Sequence, residues 1–303
     1  MRVLALLVVA LIGAGDAGAA ELERAMEVGG VQRTYLRVTP DKQSGPLPLL
    51  IVYHGGTGNP EQALRYTRFD RLATNGEAVV VFPKGVDSNW NDGRVSSDLR
   101  ERAASKNDDV AFTIAIIDQL VSDGIADRAR VFLTGASNGG MMSLRTACEA
   151  AEHIAGIAPV IAAMPADLEC APAKPMPVMF FNATEDEFVP FNGGRIAAGK
   201  TRRDLGVVRS VDETVEIFRR LNGCGGVAKT ETRDTSEKDE TKAIVTDYDC
   251  SKAPLRQVVI EGGGHTWPGA RSGPIVGMIL GRSTPEIDAT KEIWDFFKAL
   301  PPR

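Results

Sequence analysis

A chain of 303 residues, 43% hydrophobic and 25% charged, holds ample apolar material for the core of one full domain. No repeat, low-complexity tract or linker divides it, which excludes fibrous and disordered classes. The formal net charge of -5 comes from interspersed signs and excludes the clustered basic face that a nucleic-acid partner requires.

At the N-terminus, Met1-Arg2 precedes an apolar run from Val3 to Gly13 that is too short to span a bilayer. Ala17-Gly18-Ala19 then has the small-x-small spacing that a signal peptidase reads. The expectation is a signal peptide over residues 1–19, cut after Ala19 or one residue later, and a single domain over residues 20–303 that is secreted or periplasmic. No cysteine lies near the cut and no later apolar run is long enough to cross a bilayer, so neither a lipid anchor nor a membrane partner is expected.

In chain order, 22–28 and 31–38 around Gly29-Gly30 predict a hairpin at an antiparallel edge of a sheet. Leu49 to Tyr53 and Ala78 to Phe82 predict central strands, each running into a loop rich in glycine. Val110, Ile114, Ile117 and Val121 recur at helical spacing, with Asp108 or Asp109 at the N-terminus of that helix. Strands follow at 130–134, 154–160 and 178–181, a helix at 208–221, and the densest basic group (Arg195, Lys200, Arg202, Arg203) reads as a solvated loop. β-branched runs at 227–232 and 241–248 predict a second hairpin, 257–260 a last strand, and Ile293, Trp294, Phe297 and Leu300 one face of a closing helix. This alternation predicts a doubly wound, mostly parallel sheet with helices on both faces.

Four cysteines in a chain bound for an oxidising compartment predict two disulfides. Of the three possible pairings, Cys148 with Cys170 and Cys224 with Cys250 is expected, because each bridge then closes a short loop within one region. No Cys-x-x-Cys spacing points to a metal site.

The chemistry centres on Gly135-Ala136-Ser137-Asn138-Gly139, a Gly-x-Ser-x-Gly run led in by an apolar strand and led out by a helix without breakers. Its glycines fall where side chains would collide in a tight strand-to-helix turn, which leaves Ser137 strained and exposed at the apex. A serine hydroxyl needs a base and a third group to orient that base. Of the three histidines, His54, His153 and His265, only His265 lies far enough beyond Ser137 to leave room for an acid in the order nucleophile, acid, histidine. Past the strand at 178–181 the carboxylates Glu185, Asp186 and Glu187 all qualify, and spacing alone does not separate them. Two donors for a developing oxyanion are expected from the N–H of Asn138 and from Gly56 or Thr57 in His54-Gly55-Gly56-Thr57. That loop lacks the Lys-Ser/Thr of a phosphate cradle.

Together with these stretches, Trp90-Asn91-Asp92-Gly93-Arg94, Asp108-Asp109-Val110, Asn222-Gly223-Cys224 and Glu261-Gly262-Gly263-Gly264-His265-Thr266-Trp267-Pro268-Gly269 resemble the secreted α/β-hydrolase esterases of the polyhydroxybutyrate depolymerase family. They are similar also to bacterial feruloyl and acetylxylan esterases. The resemblance covers nearly all of residues 20–303 and implies an α/β-hydrolase fold. It implies the acid as well, since the family's His-Gly-Thr-x-Asp-x-x-Val-Pro-Tyr matches Asn182 to Phe191 with Asp186 in the acid position. Asn182, Ala183 and Phe191 depart from it. The implied activity is hydrolysis of carboxylic esters without metal or organic cofactor, the substrate being hydroxyalkanoate oligomers or other short-acyl esters. Feruloyl or acetylxylan esters of plant cell walls are the alternative, with a serine peptidase or a non-catalytic secreted binding protein as readings of other classes. Trp90 and Trp267, in loops at the sheet's C-terminal edge, are candidates to line an acyl or aromatic subsite, with packing against the core as the alternative for either. The apolar stretch Ile275 to Leu280 reads as a loop buried against the core, with a pocket wall or a lid as the alternatives. Polymer-degrading members carry a further binding module, so adsorption to crystalline polyester is not expected here.

Overall fold

The computed structural model describes residues 19–98, 106–196, 204–270 and 274–303. Residues 1–18 of the expected 1–19 signal peptide lie outside the described residues, and its last residue, Ala19, opens the first strand; Lys200, Arg202 and Arg203 of the basic group also lie outside, while Arg195 is exposed and pairs with Asp204.

Ten strands form one sheet: β1 (Ala19–Val28), β2 (Val31–Pro40), β3 (Leu47–Tyr53), β4 (Val79–Pro83), β5 (Ala126–Ala136), β6 (Gly156–Val160), β7 (Val178–Ala183), β10 (Cys224–Arg233), β11 (Lys242–Cys250) and β12 (Leu255–Glu261). Two short strands, β8 (Gly194–Arg195) and β9 (Val207–Val208), pair apart from it. The order is β1-β2-β4-β3-β5-β6-β7-β12-β11-β10. From β4 to β12 the neighbours are parallel, and an antiparallel hairpin closes each edge. Both hairpins were legible from their β-branched or alternating pattern, and both disulfides form as expected: Cys148–Cys170, and Cys224–Cys250 across the open end of the β10–β11 pair.

Burial on both sides makes the central strands continuously apolar. In β3, Leu49, Ile51 and Tyr53 face one layer while Leu50 and Val52 face the other. The first layer takes helices α3 (Asp109–Ser122), α4 (Asn138–Glu149) and α5 (Val211–Asn222); the second takes α1 (Pro60–Thr67), α2 (Asp70–Thr74) and α7 (Ala289–Lys298). Asp108 caps α3 by accepting from the Ala111 N–H, while Asp109 turns inward to a buried ion pair with Arg33 at 2.6 Å. Ser210 and Glu213 close a capping box on α5.

α1 and α2 were not anticipated. The signal was present: Asn59 caps α1 through the Gln62 N–H and Pro60 opens it, the pairing that favours a helix start. The stretch expected as a buried apolar loop is instead helix α6 (Pro274–Leu280), and Met278 and Ile279 stand 87% and 62% exposed. Among the described residues no helix is long and apolar enough to cross a membrane.

Candidate active site

Ser137 sits between β5 and α4 at φ 56°, ψ −122°, a conformation that strains any residue with a Cβ. The turn is held by its neighbours. A Cβ on Gly135 would lie 2.7 Å from Tyr53 O and from the Gly139 carbonyl, and one on Gly139 would lie 2.5 Å from His54 O and Tyr53 O. The glycines therefore let β3 and the turn cross at backbone distance. The Ser137 N–H donates to Val160 O at 2.9 Å, which fixes the turn to β6. Ser137 itself is half-buried.

Asp186 follows β7 and His265 follows β12, and these strands pair in parallel, so both loops leave the same edge of the sheet as Ser137. The two loops are joined by Thr184 N–H to Ile260 O, Glu185 N–H to Gly263 O and Gly262 N–H to Thr184 Oγ1. His265 Nδ1 lies 2.7 Å from Asp186 Oδ2. Asp186 Oδ1 accepts from the N–H groups of Phe188 and Val189, each at 2.8 Å. A carboxylate saturated in this way makes Nδ1 the protonated nitrogen and leaves Nε2 with a free lone pair. Glu185 and Glu187 are exposed, and Glu185 pairs with Arg282 instead. Geometry thus separates the three carboxylates that spacing left open. The ring of Phe188 stacks on His265, centroids 5.0 Å apart.

The base loop is tied down on its far side. His265 N–H donates to Leu280 O and Gly264 N–H to Arg282 O, where Gly264 and Gly281 cross so closely that a Cβ on Gly264 would sit 2.4 Å from Leu280 O. α6 therefore abuts the histidine directly.

On the opposite side, Asn138 is the first residue of α4, where an N–H has no partner within the helix. Thr57 takes φ 61° and its N–H donates to Asn89 Oδ1 at 3.3 Å. The Gly56 N–H has no partner among the described residues, and Gly56 abuts Asn138, a Cβ there lying 3.6 Å from Asn138 Cβ. His54 is fully buried and neutral: Nδ1–H donates to Gly55 O, Nε2 accepts from Gly85 N–H, and burial pushes its pKa down to about 4. His153 is partly exposed beside Glu152 and lies on a separate 3-10 turn.

The tryptophans correct an expectation. Trp90 is 1% exposed, its indole N–H donating to His54 O and its ring against Tyr53 and His54. Trp267 is 5% exposed, bonded to Thr290 Oγ1 and packed on Tyr66 and Phe69. Buried rings support loops from beneath and present no face to a substrate, so neither side chain serves the subsite expected of it. Among the described residues no group of three or more His, Cys, Asp or Glu side chains converges as metal ligands.

A mostly parallel sheet of this order, a positive-φ serine between strand and helix, and an Asp–His pair past two later strands define an α/β-hydrolase. Comparison with known proteins bears on the class within it. The phospholipase/carboxylesterase family matches residues 73–207. NocK of Nocardia uniformis subsp. tsuyamanensis, which carries a proposed esterase assignment, is 30% identical over 263 residues, 84% of this chain and 76% of its own length. Feruloyl esterase B of Piromyces equi is 31% identical over 195 residues, 61% of this chain; the match spans only 34% of that protein. The acetyl xylan esterase structure from Aspergillus awamori superimposes with a TM-score of 0.58 at 14% identity, covering 88% of this chain and 94% of that one, a likeness of fold. The chain belongs to the esterases of the α/β-hydrolase fold.

Proposed function

We propose that the chain is an exported serine esterase that cleaves carboxylic esters through an acyl-enzyme. The observation that carries this reading is the Asp186–His265 pair, buried and saturated, on the same sheet edge as a serine in a strained turn. Ser137 Oγ attacks the ester carbonyl while His265 Nε2 takes its proton. The tetrahedral oxyanion is held by the N–H groups of Asn138 and Gly56, Thr57 being spent on Asn89. His265 returns the proton to the departing alcohol, and the mirror sequence with water frees the acid. Asp186 orients the imidazole and stabilises the imidazolium. Two disulfides support an oxidising compartment, secreted or periplasmic.

For the substrate we favour esters that decorate plant cell-wall polysaccharide. Similar proteins carry the names feruloyl esterase B of Piromyces equi and bifunctional acetylxylan esterase/xylanase XynS20E of Neocallimastix patriciarum, the latter 24% identical over 225 residues. Hydroxyalkanoate oligomers are the second reading, favoured by the acid loop Thr184-Glu185-Asp186-Glu187-Phe188-Val189-Pro190 that resembles the polyhydroxybutyrate depolymerases. Initial rates on methyl ferulate, acetylated xylan and hydroxybutyrate oligomers, each against a Ser137→Ala control, test both. Faster turnover of the hydroxybutyrate oligomers would reverse the preference. Hydrolysis of p-nitrophenyl butyrate no faster than in the control would leave a binding protein.

A further inference from the structure

The segment Asn89 to Asp92, which overlaps the Trp90-Asn91-Asp92-Gly93-Arg94 motif of the sequence, is bonded both to the loop of residues 54–57 and to the start of α4. We infer that this segment positions the oxyanion donors, and that Asp92 is its anchoring residue. The inference rests on the serine-esterase reading and deepens it.

Each arm is bonded to the segment independently. On the side of residues 54–57, Asn89 Oδ1 accepts from the Thr57 N–H at 3.3 Å and the Trp90 indole N–H donates to His54 O at 2.8 Å. On the side of α4, the Asn138 amide is gripped at both ends. Its Oδ1 accepts from the Trp90 N–H at 2.8 Å, and its Nδ2 donates to Trp90 O at 3.2 Å and to Asp92 Oδ2 at 2.6 Å. Asn138 is 3% exposed and Asp92 2%, so water does not compete for the bonds that grip the Asn138 amide.

The rest of Asp92 is equally occupied. Arg94 Nε donates to Asp92 Oδ2 at 2.8 Å and Oδ1 at 3.0 Å, and Arg94 Nη1 donates to Leu205 O. A charged acceptor makes the shortest and strongest of the bonds to Asn138. The consequence is angular. The Ser137–Asn138 peptide follows a strained φ at Ser137, and the grip on the Asn138 side chain holds the first residue of α4 against a shift of that peptide. Asp92 touches neither the substrate nor Ser137 in this scheme; it acts through Asn138.

The segment is itself fixed from outside the site. Asp109 Oδ2 accepts from the Asn91 N–H at 2.7 Å while Oδ1 pairs with buried Arg33, and Arg145 Nη1 donates to Asn91 O. A donor aimed by a rigid neighbour costs no reorganisation when charge develops.

The test uses the full chain with Asp92→Ala, Asn138→Ala and Asp92→Asn, assayed with p-nitrophenyl butyrate and with a short alkyl trifluoromethyl ketone, whose serine adduct places an oxyanion on the same donors. Removal of an oxyanion donor costs about 10²–10³ in kcat, so a misaimed one should cost about 10- to 100-fold. Asp92→Ala and Asn138→Ala should each lower kcat by that factor, leave KM within about three-fold, and weaken the ketone in proportion to kcat/KM. Asp92→Asn keeps an acceptor without the charge and should recover most of the loss. Unchanged kcat and ketone inhibition in the alanine variants, or a loss confined to KM, would overturn the inference. Should Asp92→Ala not fold, because buried Arg94 loses its carboxylate, Asn138→Ala decides on the same criterion. Ser137→Ala separates the two readings: activity surviving there sinks the serine mechanism, whereas an inactive Ser137→Ala beside fully active alanine variants sinks only the positioning role.

Discussion

His54 is a buried neutral imidazole at the base of the loop that carries Gly55, Gly56 and Thr57, and its protonation should loosen that loop before any surface group matters. Desolvation is the largest cause of its low pKa, about 4 against an ordinary 6.5, with Lys84 acting in the same direction and Glu61 and the Gly55 carbonyl opposing. The folded state therefore binds this proton less readily than the unfolded chain does. Stability is intact above the unfolded value and falls as the pH drops from about 6.5 toward 4. At about 1.4 kcal/mol per pH unit the full gap is worth about 3 kcal/mol, of which about 2 kcal/mol is gone by about pH 5. The geometry shows what a second proton would meet: Nε2 accepts from Gly85 N–H at 3.0 Å, and a proton on that nitrogen would face a donor in a fully buried site. The assay is urea unfolding of the wild type and of His54→Asn at steps from pH 7.5 to 4.5. Asparagine does not titrate, so the variant starts less stable but should lose about 2 kcal/mol less between pH 7 and pH 5. Parallel pH dependences for the two proteins would refute the reasoning and place the titrating group elsewhere.

The other expectations concern single substitutions. Ser137→Ala should lower kcat on p-nitrophenyl esters by at least about 10⁴-fold, and Asp186→Asn by about 10³- to 10⁴-fold through the wrong imidazole tautomer, both with unchanged circular dichroism. Cys148→Ser and Cys170→Ser together open a 22-residue separation and should destabilise by about 3 kcal/mol in denaturant titrations, and the Cys224–Cys250 pair, separated by 26, by a similar amount. Arg33→Ala should cost about 3–5 kcal/mol, because Asp109 is left charged and buried, whereas Arg128→Ala at the exposed Arg128–Asp118 pair should cost under about 1 kcal/mol; midpoints of urea unfolding check both.

How far the sequence could be read depended on the range of the forces at each residue. The central strands and the serine turn were legible because their causes are local: apolar runs buried on two faces, and glycines where the backbones of β3 and β5 touch. Asp186 was not separable from Glu185 and Glu187 by spacing, yet a local reason existed. An aspartate arm is short enough to fold back onto the N–H groups two and three residues on, whereas a glutamate overshoots them. The proposed preference for Gly56 over Thr57 as a donor is different in kind, since it rests on Asn89, which only the fold brings near Thr57. The same holds for Trp90 and Trp267. Their positions at loop ends are consistent with either a wall or a prop, and burial by residues distant in the chain decides for the prop.

Strain at Ser137 and rigidity around it are two sides of one requirement. A non-glycine residue at φ 56° costs about 1–3 kcal/mol and persists only where its surroundings over-determine it. Here Val160 O takes the Ser137 N–H, Ser137 O takes the Met141 N–H, the Tyr53 and His54 carbonyls press against Gly135 and Gly139, and the Asn138 amide is bound to Trp90 and Asp92. Each anchor belongs to a different strand or loop, so the turn cannot relax without opening several contacts at once. Side chains that carry such a load cannot also vary to suit a substrate. Among the described residues, those without such a duty at this edge include Phe188, stacked on His265, and the exposed Met278 and Ile279 of α6, whose last carbonyl accepts from the His265 N–H. Differences in acyl or alcohol preference among esterases of this fold should therefore concentrate on that side of the histidine, away from the donors, where a change of shape leaves the strained serine undisturbed.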